Sequence, residues 1–264
     1  MPFFEHNGTR LFYVDVDKRE DKTSGIPLVF VHGAGSSHLI WALQLKAFSA
    51  EHRIIALDLS GHGKSDDVKG DPSIEVTFAG DLAALIRHLE VDSFILVGHS
   101  MGGGVAMAYT LKKNVVKPKA LVLVSTSSDL NLSKLRIGLM KETIQDRVYF
   151  FKSRLFEHYT ETYQLKKLDD DMRLANPLVM TRDLAACSKF DITDRCGEIH
   201  IPVFVLVGSK DDIITPAIAA EFEKNIPRAD IAIVKDADHI PMVEQPAEFN
   251  RLFKKFIEWV TRNM

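Results

Sequence analysis

The chain has 264 residues, 46% of them hydrophobic, enough for one substantial core and for one or two domains. Its 33 basic and 36 acidic residues are interspersed and leave a net charge of −3; no basic block is present to grip phosphates, so nucleic acid is not an expected partner. No run approaches the roughly 18 apolar residues of a membrane span, and Met1-Pro2-Phe3-Phe4-Glu5-His6 lacks the basic-then-apolar order of a signal peptide, so a cytoplasmic protein is expected.

Phe3–Phe4 and Leu11–Val16 flank Asn7-Gly8, a hairpin turn, so the chain is expected to open with two antiparallel strands. Pro27–Val31 is a continuous apolar run that ends at His32-Gly33-Ala34-Gly35. Trp41–Ala50 reads as a helix, Arg53–Leu59 as a buried strand, and Ser60–Ser65 as the loop beyond it. Glu75–Glu90 is the clearest amphipathic helix, with Phe78, Leu82, Leu85, Ile86 and Leu89 on one face.

The central stretch follows. Phe94–Gly98 reads as a buried strand, Gly98-His99-Ser100-Met101-Gly102 fits G-x-S-x-G, and Val105–Leu111 continues as a helix. Strand, sharp turn and helix give that motif a mechanical meaning. The turn holds Ser100 in a strained conformation with its hydroxyl raised, and Gly98 and Gly102 remove Cβ atoms that would collide.

After the strand Ala120–Val124 the alternation of strand and helix stops. Leu135–Met140, Asp146–Tyr159, Asp170–Leu174 and Leu178–Ser188 read as helices, so 127–195 is expected as a helical cap inserted in a core made of 1–126 and 196–264. Ile201–Gly208 resumes the sheet pattern. A helix from Ala217 to Asn225, a strand at Ile231–Val234, and an amphipathic helix from Pro246 follow. Continuous apolar strands between helices imply an α/β fold, a mostly parallel sheet covered on both faces. Cys187 and Cys196 are too far apart for C-x-x-C and are expected as free buried thiols.

A serine needs a base, and the base needs an orienting group. His6, His52, His88, His158 and His200 carry surface or packing roles by default, and the tight turn points the His99 ring away from Ser100. His239, in the loop after the last strand, is the expected base. The acid should follow the preceding strand. Counting on from Gly208 gives Asp211 and counting back from Pro216 gives Asp212; distance from the strand end favours Asp211. The N–H groups of Met101 and Ala34 are the expected donors to an oxyanion, each worth on the order of 3 kcal/mol. His32 is expected to hold that loop by a structural hydrogen bond rather than to act in catalysis.

His32–Gly35, Asp58–Ser65, Gly98–Gly103, Gly208–Asp212, and Asp238-His239 with Glu244-Gln245-Pro246 resemble, in order and spacing, the motifs of the α/β-hydrolase superfamily. The resemblance implies an eight-stranded sheet with its second strand antiparallel, a cap after strand six, and no cofactor. The extra residue between Asp211 and Pro216 departs from the family pattern. A carboxylesterase-like serine hydrolase acting on a small-molecule ester is the expected function, and a homo-oligomer is compatible with it. A carbon–carbon bond hydrolase, with Arg182 and Lys189 as candidate anion binders, a monoacylglycerol lipase, a lactonase, a thioesterase or a perhydrolase would use the same three residues. So would a ligand sensor of slow turnover.

Overall fold

The computed structural model describes residues 2–131 and 177–263. Strands β1 (Phe3–His6) and β2 (Thr9–Val16) form the expected hairpin. Asn7 and Gly8 both take positive φ, 52° and 76°, the geometry that suits the twist of the flanking strands. Then come β3 (Leu28–Val31), α1 (Ala42–Phe48), β4 (Ile54–Leu57), α2 (Ala79–His88), β5 (Ile95–His99), α3 (Met101–Leu111) and β6 (Ala120–Val124). After α4 (Pro177–Cys187) the chain continues through β7 (Val203–Gly208), α5 (Pro216–Ala219), α6 (Glu221–Asn225), β8 (Ala229–Val234), α7 (Pro241–Glu244) and α8 (Pro246–Asn263).

The eight strands form one sheet in the order β1-β2-β4-β3-β5-β6-β7-β8. β2 runs antiparallel to both neighbours, and β3 to β8 pair in parallel. The central strands are buried on both faces, which explains their unbroken apolar runs. Alternate residues feed two cores. Val29, Val31, Leu96, Leu121 and Leu123 pack beneath α2 and α3. Leu28, Phe30, Ile95, Val97 and Val122 meet Trp41, Phe48, Phe249 and Phe253 on the other face, from around α1 and α8.

Several predicted elements differ locally. The Glu75–Glu90 helix opens with a π turn, Ile74–Phe78, in which the Phe78 N–H donates to the Ser73 carbonyl at 3.1 Å. The helix around Trp41 begins as a 3-10 turn, His38–Trp41. The helix expected over 217–225 is two short helices that break at Ala220. The predicted helices Leu135–Met140, Asp146–Tyr159 and Asp170–Leu174 lie outside the described residues. Where the chain leaves and rejoins the sheet layer, the Leu130 N–H donates to the Phe190 carbonyl (3.0 Å) and the Ile192 N–H to the Ser128 carbonyl (2.9 Å). Cys187 and Cys196 are free buried thiols, and burial pushes both thiols up from their ordinary pKa. Among the described residues no helix is long and apolar enough to cross a membrane.

Candidate active site

β5 delivers Ser100 to the carboxyl edge of the sheet, where loops of parallel strands converge. The turn is as sharp as the motif requires. Ser100 holds φ 51° and ψ −119°, a sparsely populated region for a side-chain-bearing residue. A Cβ at Gly98 would strike the carbonyl of Gly102, and one at Gly102 would strike the carbonyl of His32. The strained turn is secured by the Ser100 N–H donating to Val124 (2.9 Å) and by Thr126 Oγ1–H donating to the Ser100 carbonyl (2.8 Å).

Across the edge, Ser100 Oγ lies 3.1 Å from His239 Nε2, and His239 Nδ1 lies 3.0 Å from Asp211 Oδ2. The other Asp211 oxygen accepts from the Ile213 and Ile214 N–H groups at 3.0 and 2.8 Å. Burial raises the Asp211 pKa, but the His239 charge and hydrogen bond, with the Ile214 N–H, outweigh it and hold the carboxyl below its ordinary value. The ionised carboxylate therefore accepts a hydrogen bond from Nδ1–H, which leaves Nε2 as the acceptor facing the serine hydroxyl in the neutral ring. Burial disfavours a charged His239; the Asp211 charge and hydrogen bond, with Asp238 and Glu244, prevail and raise its pKa. Asp212, the competing acid, is exposed on the neighbouring position of the same turn.

The loop after β3 lies against the serine. A Cβ on Gly33 would sit 3.1 Å from Ser100 Cβ, so the residue before Ala34 packs directly against the elbow. Met101 begins α3 directly after it. His32 is fully buried, faces the Gly33 carbonyl through Nδ1 (2.8 Å), and accepts from the Leu59 N–H through Nε2 (3.1 Å). Burial, with the nearby His62 charge, drives its pKa down to about 3. It is a neutral brace, in line with its expected structural role.

Two supports escaped the sequence reading. His99 points away from Ser100, as expected, but its Nε2 lies 2.9 Å from the His239 carbonyl and so donates to it. Glu244 accepts from the backbone N–H of Asp238 and, at 3.1 Å, of Ile240, bracketing His239 on both sides. The signal for Glu244 was present in its fixed place within the last motif; none marked His99. The Asp58–Ser65 motif is a scaffold. The Asp58 carboxylate accepts from His38 N–H (2.7 Å), His38 Nδ1 (2.8 Å) and Lys64 N–H (3.0 Å). Arg182, a candidate anion binder, forms a two-pronged ion pair with Asp67, and Lys189 is exposed beyond the end of α4.

The sequence profile of the alpha/beta hydrolase family matches residues 28–252. The chain is 30% identical to a non-heme chloroperoxidase from Streptomyces lividans, over 81% of this chain and 83% of that protein. Among solved structures it is similar to a thermophilic esterase from Thermogutta terrifontis, with a TM-score of 0.80 at 25% identity, covering 98% of this chain and 97% of that one. It is also similar to Est816, described as an N-acyl homoserine lactone degrading enzyme, with a TM-score of 0.78 at 25% identity over 97% and 100% of the two chains. With its sheet order, serine elbow and matched profile together, the chain belongs to the alpha/beta hydrolase family.

Proposed function

We propose that the protein is a serine carboxylesterase of small to medium esters, with Ser100 as nucleophile, His239 as base and Asp211 as the group that orients it. The observation that carries this reading is the continuous hydrogen-bonded line from Ser100 Oγ through His239 to Asp211, at 3.1 and 3.0 Å. Ser100 Oγ attacks the ester carbonyl carbon as its proton passes to His239 Nε2. The carbonyl oxygen takes up negative charge between the Ala34 and Met101 N–H groups. His239 then protonates the leaving alcohol oxygen as the carbon–oxygen bond breaks. Water, losing its proton to His239, attacks the acyl carbon; the acyl–Oγ bond then breaks as His239 returns that proton to Ser100 Oγ, releasing the acid and regenerating the hydroxyl. Asp211 stays ionised throughout and steadies the imidazolium.

Residues 127–195 are the proposed cap over this site. Met180 and Leu184 of α4 cluster with Ile213 and Ile214, a group apart from the two main cores and one that Ala34 packs against, and form one apolar wall for the acyl or alcohol part. The esterase from Thermogutta terrifontis and the lactone-degrading Est816 support an ester-type bond as the target, a lactone being an internal ester. The ion pair of Arg182 with Asp67 disfavours a carbon–carbon bond hydrolase that would rely on that cation for its substrate carboxylate. The test is a panel of p-nitrophenyl esters of graded acyl length, run with wild type and Ser100→Ala. Rapid release that falls on the order of 10⁴-fold in the variant is expected. Release of equal rate in both proteins, or one slow turnover only, overturns the reading.

A further inference from the structure

α4 carries a charge where its packing calls for an apolar residue. Met180, Asp183, Leu184 and Cys187 recur at helical spacing, and all four are buried, Asp183 to 1% exposure. A carboxylate in an apolar face is costly unless it is fully paired. Asp183 Oδ2 meets the Gly35 N–H at 2.8 Å and His62 Nε2 at 2.7 Å. His62 in turn faces the Ser60 carbonyl through Nδ1 at 3.0 Å. Both of its ring nitrogens thus face acceptors, an arrangement that only the doubly protonated imidazolium satisfies in full. The buried carboxylate therefore has a buried cation as partner, and its remaining strong contact is with one peptide N–H.

That peptide is the one that follows Ala34. Gly35 adopts φ +60°, and a Cβ there would collide with the Met180 side chain, so α4 touches this loop by charge and by packing together. At the other end of the same loop, Gly33 abuts Ser100. The loop of three residues is pinned between the nucleophile elbow and one carboxylate on α4.

We propose that Asp183 is a positioning residue for the reaction: by accepting the Gly35 N–H it sets the Gly33-Ala34-Gly35 loop so that the Ala34 N–H points at the oxyanion. This rests on the reading of Ser100 as nucleophile and of Ala34 as an oxyanion donor. The inserted segment thereby contributes to the transition-state site as well as to the substrate pocket. An oxyanion donor acts on the tetrahedral species more than on the bound ester, so its misplacement lowers kcat and spares KM.

The experiment compares wild type, Asp183→Asn, Asp183→Leu and Ser100→Ala as full chains, with kcat and KM measured separately on p-nitrophenyl acetate and butyrate and folding followed by thermal melts. Asp183→Leu should lose roughly 10- to 100-fold in kcat, with KM within about threefold. Asp183→Asn keeps an acceptor oxygen for Gly35 without the charge, and should retain more, losing roughly 3- to 10-fold. If Asp183→Leu does not fold, Asp183→Asn decides. An unchanged kcat in the folded variant, or a loss confined to KM or to the melting temperature, overturns the proposal. An inactive Ser100→Ala beside an unchanged kcat in Asp183→Asn sinks the proposal alone. A fully active Ser100→Ala sinks the underlying reading, and the proposal with it.

Discussion

His99 donates its Nε2 proton to the backbone carbonyl of His239 at 2.9 Å, so the residue before the elbow serine grips the residue whose ring faces that serine. Burial, with the nearby His239 charge, holds the His99 pKa down at about 3, which keeps it a neutral donor at working pH. Ser100 and His239 are therefore linked twice, by their side chains and through this neighbour. Replacement by leucine leaves a buried carbonyl unpaired, at a cost of about 1–3 kcal/mol in stability. Ester turnover should also fall roughly 10-fold or more as His239 loses its register. His99→Gln, which can still donate, should recover most of the rate. Equal kcat in the leucine variant and wild type would show that the contact does not position the base.

The choice between adjacent carboxylates has a direct consequence. Asp211→Asn should lower kcat/KM by roughly 10³- to 10⁴-fold, because a neutral amide neither fixes the His239 tautomer nor steadies its charge. Asp212→Asn, at an exposed position, should change it by about twofold at most. Steady-state kinetics on one good ester suffice, and a reversed ranking would move the acid to Asp212.

Four buried histidines near the site divide into two pairs with opposite pH behaviour. His239 and His62 are held above their ordinary 6.5, each against the opposing effect of burial, by the carboxylates of Asp211 and Asp183. His32 and His99 are pushed to about 3, mainly by burial. A group lowered on folding binds its proton more readily in the unfolded chain, so His32 and His99 make stability rise as pH climbs to about 6.5. A raised group adds stability that is complete below 6.5 and is lost as pH passes its folded value, so His239 and His62 make stability fall above it. The contribution of these four histidines to the melting temperature should therefore peak near pH 6.5. In the proposed mechanism His239 acts as a neutral base, so kcat/KM should climb with an apparent pKa above 6.5, where the stability contributed by His239 and His62 is already declining. A rate limb centred below 6.5 would contradict the Asp211–His239 pairing.

The elbow at Ser100 and the core strands were legible because each is imposed locally. The elbow cannot form unless residues 98 and 102 lack side chains, since their Cβ atoms would meet backbone carbonyls. Strands buried on both faces have no polar alternation to lose, so β3, β5 and β6 read as unbroken apolar runs. Element ends were less legible, as with the π turn before α2 and the break at Ala220, where caps and packing compete with propensity over single residues.

By itself, then, the sequence determined the fold and singled out Ser100, His239 and a pair of carboxylates as candidates for the site. The tertiary structure alone decided which of the two carboxylates turns inward to His239, because neighbours in a turn differ only in the burial and backbone N–H groups they meet. It alone joined Asp183 to Gly35, 148 residues apart, and His99 to His239, 140 apart. Hydrogen bonds at such separations leave no periodicity in the chain. They arise only when sheet order brings distant loops to one edge.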